Sequence, residues 1–197
     1  MLSNKKVKKF FYINAVIIII YLISFFIENI FFNIQRQILG TENHLNASLL
    51  FIPHGVRILA ILLFGFHAIP GLFIAQVLTH LDHYHEELYL AMSLNVSTIL
   101  STMIILLIFY QRSVLQFDKI KVKNIIFISI LSSLINSILN GLIKDFYNFI
   151  SYIDFNENMT MFFIGDLLGA LVFYKLITFI MNQFNTQNIE RHFFHSK

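Results

Sequence analysis

Three ionisable side chains interrupt segments that are otherwise strongly apolar. His54 and Arg57 belong to a Pro-His-Gly-Val-Arg motif, and their spacing of three residues places them on one face of a helix. Asp166 follows the first glycine of a Gly-Asp-Leu-Leu-Gly motif. An unpaired charge within a lipid bilayer costs at least about 2.5 kcal/mol, so Arg57 and Asp166 are predicted to pair. The pair is either purely architectural or part of a ligand-binding site.

A polar stripe follows one face of a later apolar segment. Its members recur at positions i, i+3, i+4, i+7 and i+8: Ser133, Asn136, Ser137, Asn140 and Gly141. Serine in such a segment indicates hydrogen bonds between membrane helices. For Asn136 and Asn140, a structural hydrogen bond and contact with a ligand are both open. With Gln76 and Asn95 upstream, the candidate ligand-binding residues are His54, Arg57, Gln76, Asn95, Asn136, Asn140 and Asp166.

The segment from residue 80 to residue 87 holds three histidines and three carboxylates within eight residues. Neutral imidazole suits zinc, nickel or copper, so a metal site is one interpretation. His80 and His83 could share a helical face, but His85 would require a break in the helix. The spacing matches no established metal signature. We favour a solvated polar loop and predict neither a metal site nor a cofactor.

Catalytic motifs are largely missing from the chain. The run from His85 to Tyr89 begins like the HExxH motif of zinc proteases but ends in tyrosine where a second histidine is required. There is no GxSxG motif and no glycine-rich phosphate loop, and the absence of cysteine excludes a thiol nucleophile and disulfides. We predict that the chain is not an enzyme. An intramembrane enzyme that uses His54 and Asp166 as acid and base is the less favoured alternative.

The amino-acid composition indicates which structural elements position the candidate site residues. Of the 197 residues, 57% are hydrophobic and 13% are charged, where soluble domains have about 25% charged residues. The apolar residues form blocks long enough to cross a bilayer. We predict an all-α polytopic bundle of about six transmembrane helices, forming a single domain over residues 1–197. The predicted helices cover residues 10–30, 45–66, 68–80, 88–110, 125–143 and 159–181, and the second and third form a tight hairpin.

Basic residues predict the orientation in the membrane. With six helices, ten lysines and arginines fall on the side that holds both termini, and only Arg36 and Lys144 fall on the other. Positive charge concentrates on the cytoplasmic side, so both termini are predicted to be cytoplasmic. The basic clusters therefore indicate topology and no nucleic-acid partner. Glu28 and Lys175 are expected near helix ends, from which their side chains can reach the membrane interface.

The two charged motifs also carry a family resemblance. The stretch from Phe51 to Ala75, with its Pro-x-Gly turn and a later Pro-Gly that opens the next helix, resembles the bacterial membrane-associated sensor (MASE) domain of the first class. Residues 165–169 look like the Gly-Asp-x-x-Gly motif of the same family. The chain departs from the family pattern in its smaller number of helices and in the charged His54 and Arg57.

The resemblance implies a multi-pass sensory module in the bacterial inner membrane. Such modules are normally fused to a histidine kinase or a diguanylate cyclase, and no output domain is recognisable here. We therefore expect a non-enzymatic, sensor-like module in the lipid bilayer that binds an unknown small ligand and acts through a partner protein. The alternative is a substrate-binding membrane subunit of an energy-coupling-factor-type vitamin or metal importer.

Overall fold

Backbone polar groups inside a bilayer must pair within their own segment, which favours helices over irregular chain. The computed structural model describes residues 4–39, 48–80, 88–110, 122–148 and 152–183, and no β-strand occurs in these ranges. The α-helices are α1 Asn4–Leu39, α2 Ile52–Phe64, α3 Ile69–His80, α4 Leu88–Tyr110, α5 Val122–Phe146 and α6 Tyr152–Gln183. The predicted all-α architecture is confirmed.

Five stretches of the described chain are long and apolar enough to cross a membrane: Lys5–Ile38, Ile52–Thr79, Leu88–Ile105, Lys123–Phe146 and Phe155–Ile180. The second stretch contains both α2 and α3, which have only 13 and 12 residues. At about 1.5 Å per residue, each of these helices is shorter than a hydrocarbon core of roughly 30 Å. The chain is a multi-span membrane protein, and one of its five apolar stretches contains two short helices, α2 and α3.

The helix ends differ from those predicted by the apolar blocks. α1 and α6 extend over 36 and 32 residues, because polar residues outside the apolar block continue the helix. α2 begins at Ile52, seven residues later than predicted, with Pro53 in its first turn. Proline lacks an N–H and is favoured in this turn, where the donor would have no helical partner. Leu49 N–H, just before α2, donates to Gln35 Oε1 at 2.8 Å, near the end of α1.

The chain reverses direction between α2 and α3 at a 3-10 turn, Gly65–Ala68. Its first residue, Gly65, has φ 56°, a left-handed conformation that glycine adopts without steric cost. The ring of His67 lies 6.1 Å from that of Phe10, and Gly71 N–H donates to Asn14 Oδ1 at 2.6 Å. From the first contact to the second, the residue number rises by four in both segments, from Phe10 to Asn14 and from His67 to Gly71. The start of α3 is therefore parallel to α1. α2 is antiparallel to α1, because it starts beside the far end of that helix.

α2 and α6 run parallel and in close contact. Phe51 N–H, immediately before α2, donates to the carbonyl of Gly165 at 2.9 Å. A Cβ added at Gly169 would collide with the carbonyl of Phe51, and one added at Gly55 would lie 2.5 Å from Phe173 Cβ. Small residues are therefore required where these two helices meet. Since α6 is parallel to α2, the start of α1 and the end of α6 lie at the same end of the bundle; its cytoplasmic location remains a prediction.

The bundle buries polar side chains and exposes apolar ones. On α5 the buried residues include Ser129, Ser132, Ser133, Asn136, Ser137 and Asn140. The exposed residues of the same helix include Ile126, Phe127, Ile130, Leu134, Ile138 and Leu142. An apolar outer surface suits lipid, and buried polar groups need hydrogen-bond partners inside the protein. The interior of the bundle is therefore where a site must be sought.

Candidate functional site

The predicted ion pair between α2 and α6 is present. Arg57 Nη2 lies 3.6 Å from Asp166 Oδ1, and the two residues are 2% and 1% exposed. The pair forms because the parallel packing of α2 on α6 brings the two residues to the same depth. Breaking such a buried pair costs about 3–5 kcal/mol, since the remaining charge has no partner.

His54, one helical turn before Arg57, contacts both members of the pair. Its Nδ1 lies 2.9 Å from Arg57 Nη2 and 3.4 Å from Asp166 Oδ2. A guanidinium can only donate, so Nδ1 accepts from Arg57 and the ring proton is on Nε2. That N–H points to Ser133 Oγ on α5, 3.5 Å away. His54 is thus neutral in this arrangement, and its contact with Asp166 is not an ion pair.

Two asparagines of α5 extend the network to neighbouring helices. Asn136 Nδ2 donates to Asp166 Oδ2, and its Oδ1 lies 3.5 Å from Ser101 Oγ on α4. Asn140 Oδ1, one turn further along, accepts from Ser97 Oγ at 3.0 Å. The contact with Asp166 orients the amide of Asn136, because a carboxylate can only accept. The polar stripe of α5 therefore joins α4 to the ion pair.

A cavity of about 50 Å³ adjoins this network. Its walls come from α1, the start of α2, α4, α5 and α6: Tyr21, Phe51, Arg57, Leu94, Thr98, Asn136, Asn140, Lys144, Phe162 and Asp166. A cavity needs roughly 10–15 Å³ of such volume to hold one water molecule. The cavity therefore has room for a few waters or for one small polar solute.

Four of the seven candidate ligand-binding residues line the cavity: Arg57, Asn136, Asn140 and Asp166. The other three lie outside its wall. His54 contacts the ion pair, and Asn95 is buried on α4. Gln76 Oε1 accepts from Thr98 Oγ1 at 2.7 Å, so Gln76 contacts a residue of the cavity wall without lining the cavity itself.

Lys144 was expected in an outer loop, and this expectation is wrong. The residue belongs to the last turn of α5, is 2% exposed and lines the cavity. Its Nζ lies 4.4 Å from the centroid of the Phe162 ring, a favourable cation–π geometry. The sequence contained a signal, because Lys144 continues the polar stripe four residues after Asn140.

The expectation that Glu28 reaches the membrane interface is also wrong. Glu28 is 5% exposed, whereas Lys175 is exposed. Asn14, Tyr21 and Glu28 recur at seven-residue intervals on α1, and all three are buried. This spacing keeps side chains on one face of a helix and could have identified a polar face of α1 towards the bundle. Tyr21 brings that face to the cavity wall.

The predicted polar loop with His83 and His85 lies outside the described residues, and only the backbone of His80 is placed, at the end of α3. Among the residues that the structure describes, no group of three or more histidine, cysteine, aspartate or glutamate side chains could hold a metal ion. The choice between a solvated loop and a metal site therefore remains a prediction.

The fold and the buried network define a multi-span helical membrane protein with a polar cavity inside an apolar exterior. The model of the MASE1 family, a membrane-associated sensor domain, matches residues 37–196, and the chain belongs to this family. Both motifs that carried the resemblance lie within the matched region. Searches of curated proteins and of solved structures found no match.

Proposed function

We propose that this MASE1 protein senses a small polar ligand in the cavity beside Arg57 and Asp166 and acts through a partner protein at the bacterial inner membrane. One observation supports this most strongly. The cavity directly contacts an ion pair that joins α2 to α6, and its walls come from five parts of the bundle. A ligand that binds there interacts with the groups that hold these helices together.

The packing of α2 on α6 provides a route from the cavity to the end of the bundle. A ligand that binds one arrangement of Arg57 and Asp166 more tightly than another shifts the equilibrium between the arrangements. Phe51 contacts Gly165 and Gly169 directly, and these contacts couple a movement of α2 to a movement of α6. α6 then ends on the side where α1 begins, which is the predicted cytoplasmic side. A partner protein there would experience a shifted or rotated α6.

Family membership favours sensing over transport, because MASE1 is a sensor family. The cavity volume of about 50 Å³ is also far below the roughly 300–1,000 Å³ that drug-sized ligands need. A vitamin would not fit this arrangement of the bundle. No observation on the described residues favours the importer subunit or an intramembrane enzyme.

Binding can be tested with the purified chain in lipid nanodiscs. The midpoint of thermal unfolding is measured with sodium acetate, sodium nitrate, acetamide, glycerol or methylammonium chloride, each against a matched ionic strength. A solute at about 100 times its dissociation constant adds about 2.7 kcal/mol of stability. For a chain of this size we expect the effective solute to raise the midpoint by about 5–10 °C.

The variant Asn140→Leu fills part of the cavity and should abolish this stabilisation. It should fold, because Ser97 Oγ lies 2.9 Å from the carbonyl of Leu94 and can donate to that carbonyl when Asn140 is replaced. Asn33→Leu, at an exposed position of α1, is the matched control and should respond like the unaltered chain. If no solute stabilises the chain, or if Asn140→Leu responds fully, the cavity is not a ligand site and the proposal fails.

A further inference from the structure

We infer that the start of α1 binds an anionic phospholipid, with the headgroup at Lys5 and Lys8 and an acyl chain along the apolar face that follows them. Four exposed lysines lie in the first two turns of this helix: Lys5, Lys6, Lys8 and Lys9. The first turn contains no acidic residue. Among the residues that the structure describes, no carboxylate pairs with Lys5, Lys6 or Lys8. The start of α1 is therefore a concentrated positive charge.

Lys5 and Lys8 lie on the face of α1 that points away from the bundle. Residues spaced by three, four or seven positions share one face of a helix. Counting on from Lys8 in steps of four, seven, four and three reaches four exposed side chains, which we call the outer stripe of α1: Tyr12, Ile19, Ile23 and Phe26. Lys5 lies seven positions before Tyr12, so it continues the same stripe. The outer stripe is apolar over most of its length and cationic at its beginning.

The length of the outer stripe fits one lipid molecule. Ile19 follows Lys8 by eleven residues, which is about 17 Å at about 1.5 Å per residue. One leaflet contributes half of a hydrocarbon core of roughly 30 Å. A phospholipid whose phosphate contacts Lys8 therefore has its acyl chain beside Ile19. Tyr12, one turn after Lys8, falls at the level where tyrosine is enriched in membrane proteins.

The part of the bundle next to the lysines carries no opposing charge. The ring of Phe10, one turn after Lys6, lies 6.1 Å from the ring of His67. The 3-10 turn that contains His67 is therefore close to the basic segment, and its sequence Gly-Phe-His-Ala has no acidic residue. Among the described neighbours of this segment, these groups leave the approach of a phosphate unhindered.

The combination of charge and apolar surface favours a lipid over other anionic partners. Ammonium groups bind phosphate oxygens, and clusters of basic residues beside a transmembrane helix attract anionic lipids. An acidic protein would neutralise Lys5 and Lys8 but would not cover Ile19 and Ile23, which lie at the depth of the hydrocarbon core. A phospholipid satisfies both parts of the surface with one molecule.

Native mass spectrometry of the full chain in a nonionic detergent tests the inference. The probes are dioleoylphosphatidylglycerol, which is anionic, and dioleoylphosphatidylcholine, which has the same acyl chains and no net charge. We expect the anionic lipid to bind its first site at least tenfold more tightly. The double variant Lys5→Gln with Lys8→Gln should lose about tenfold in affinity for the anionic lipid and bind phosphatidylcholine normally. Glutamine forms helices as well as lysine does, so the thermal unfolding midpoint should not change.

Two further double variants serve as controls. Lys5→Arg with Lys8→Arg keeps both charges and should bind the anionic lipid like the unaltered chain. Lys123→Gln with Lys175→Gln removes two exposed lysines of α5 and α6 and should also leave the affinity unchanged. Equal affinity for the two lipids would overturn the inference. So would an equal loss in the Lys123 and Lys175 variant, because binding would then follow net charge and not a site on α1.

Competition separates the lipid from the other anionic partners. We expect neither glycerol 3-phosphate nor a deca-glutamate peptide, each at ten times the lipid concentration, to displace the anionic lipid. Displacement by glycerol 3-phosphate would indicate a site for free phosphate, and displacement by the peptide would indicate a docking surface for an acidic protein. Either result overturns the lipid assignment. The cavity plays no part in these measurements, so their failure leaves the proposed function as it stands.

Discussion

The two sides of α6 are built in different ways. Towards α2, Gly165 and Gly169 bring backbone against backbone, and no space is left for an added Cβ. Towards α5, Asp166 meets Asn136 in a polar region that opens into a cavity. The first contact is close and has no tolerance for larger side chains. The second contact consists of hydrogen bonds beside a cavity, so its hydrogen bonds can rearrange when a ligand enters.

The motifs that resemble the MASE family supply only part of the cavity wall. The Pro-x-Gly turn of the first motif and the Gly-Asp-x-x-Gly motif lie at the contact of α2 with α6, where glycines and the ion pair are found. Much of the cavity wall, including Tyr21, Asn140 and Lys144, lies outside these motifs. We infer that the motifs maintain the contact of α2 with α6 and supply Arg57 and Asp166 to the cavity, while residues elsewhere complete its wall.

The largest expected effect concerns the ion pair that connects the two sides. Arg57→Ala or Asp166→Ala alone should destabilise the chain by about 3–5 kcal/mol, because each leaves a buried charge without its partner. The double variant should recover most of this loss. Thermal unfolding of the four proteins in nanodiscs gives the coupling free energy.

In this double-mutant cycle, two residues that do not interact would give additive losses of stability. If the two single losses add in the double variant, Arg57 and Asp166 do not interact and the site between α2 and α6 is wrong. A double variant that recovers stability but no longer responds to any solute would assign the pair to the ligand site. Recovery of both stability and the response would leave the pair with a structural role only.

A smaller effect is expected from the glycine contact. Gly169→Ala should destabilise the chain by about 1–3 kcal/mol, because the new methyl group meets the fixed backbone of Phe51. Gly141→Ala, on α5, is the matched control, since its methyl group would meet the flexible side chain of Met159. The control should cost less. Equal unfolding midpoints for the two variants would show that the contact of α2 with α6 is not close-packed.

Much of this site could be predicted from the cost of burying charge. That cost predicts the pairing of Arg57 with Asp166, and helical spacing places His54 on the same face as Arg57. Lys144 was missed because its position near the end of an apolar block resembled a loop, although it continues the stripe of α5. The same reasoning wrongly assigned Glu28 to the interface, because the polar face of α1 was not recognised.

Other features could not be read from local patterns. The contact of residues 48–51 with α6 joins segments more than a hundred positions apart, and it depends on how the whole bundle packs. The apolar blocks also underestimate α1, because a helix continues into polar sequence where no proline or glycine stops it. The volume of the cavity likewise depends on five elements at once.

The most direct test of the account is whether a solute in the cavity moves the end of the bundle. The chain has no cysteine, so Lys8→Cys with Leu176→Cys gives two unique spin-label sites, on α1 and α6, both exposed. Helix shifts in signalling domains are about 1–2 Å or more. We predict that the solute that stabilises the chain in nanodiscs changes, at saturation, the distance between the labels by at least this amount, and that Asn140→Leu removes the change. An unchanged distance, with that solute shown to bind by calorimetry, would contradict the proposed function.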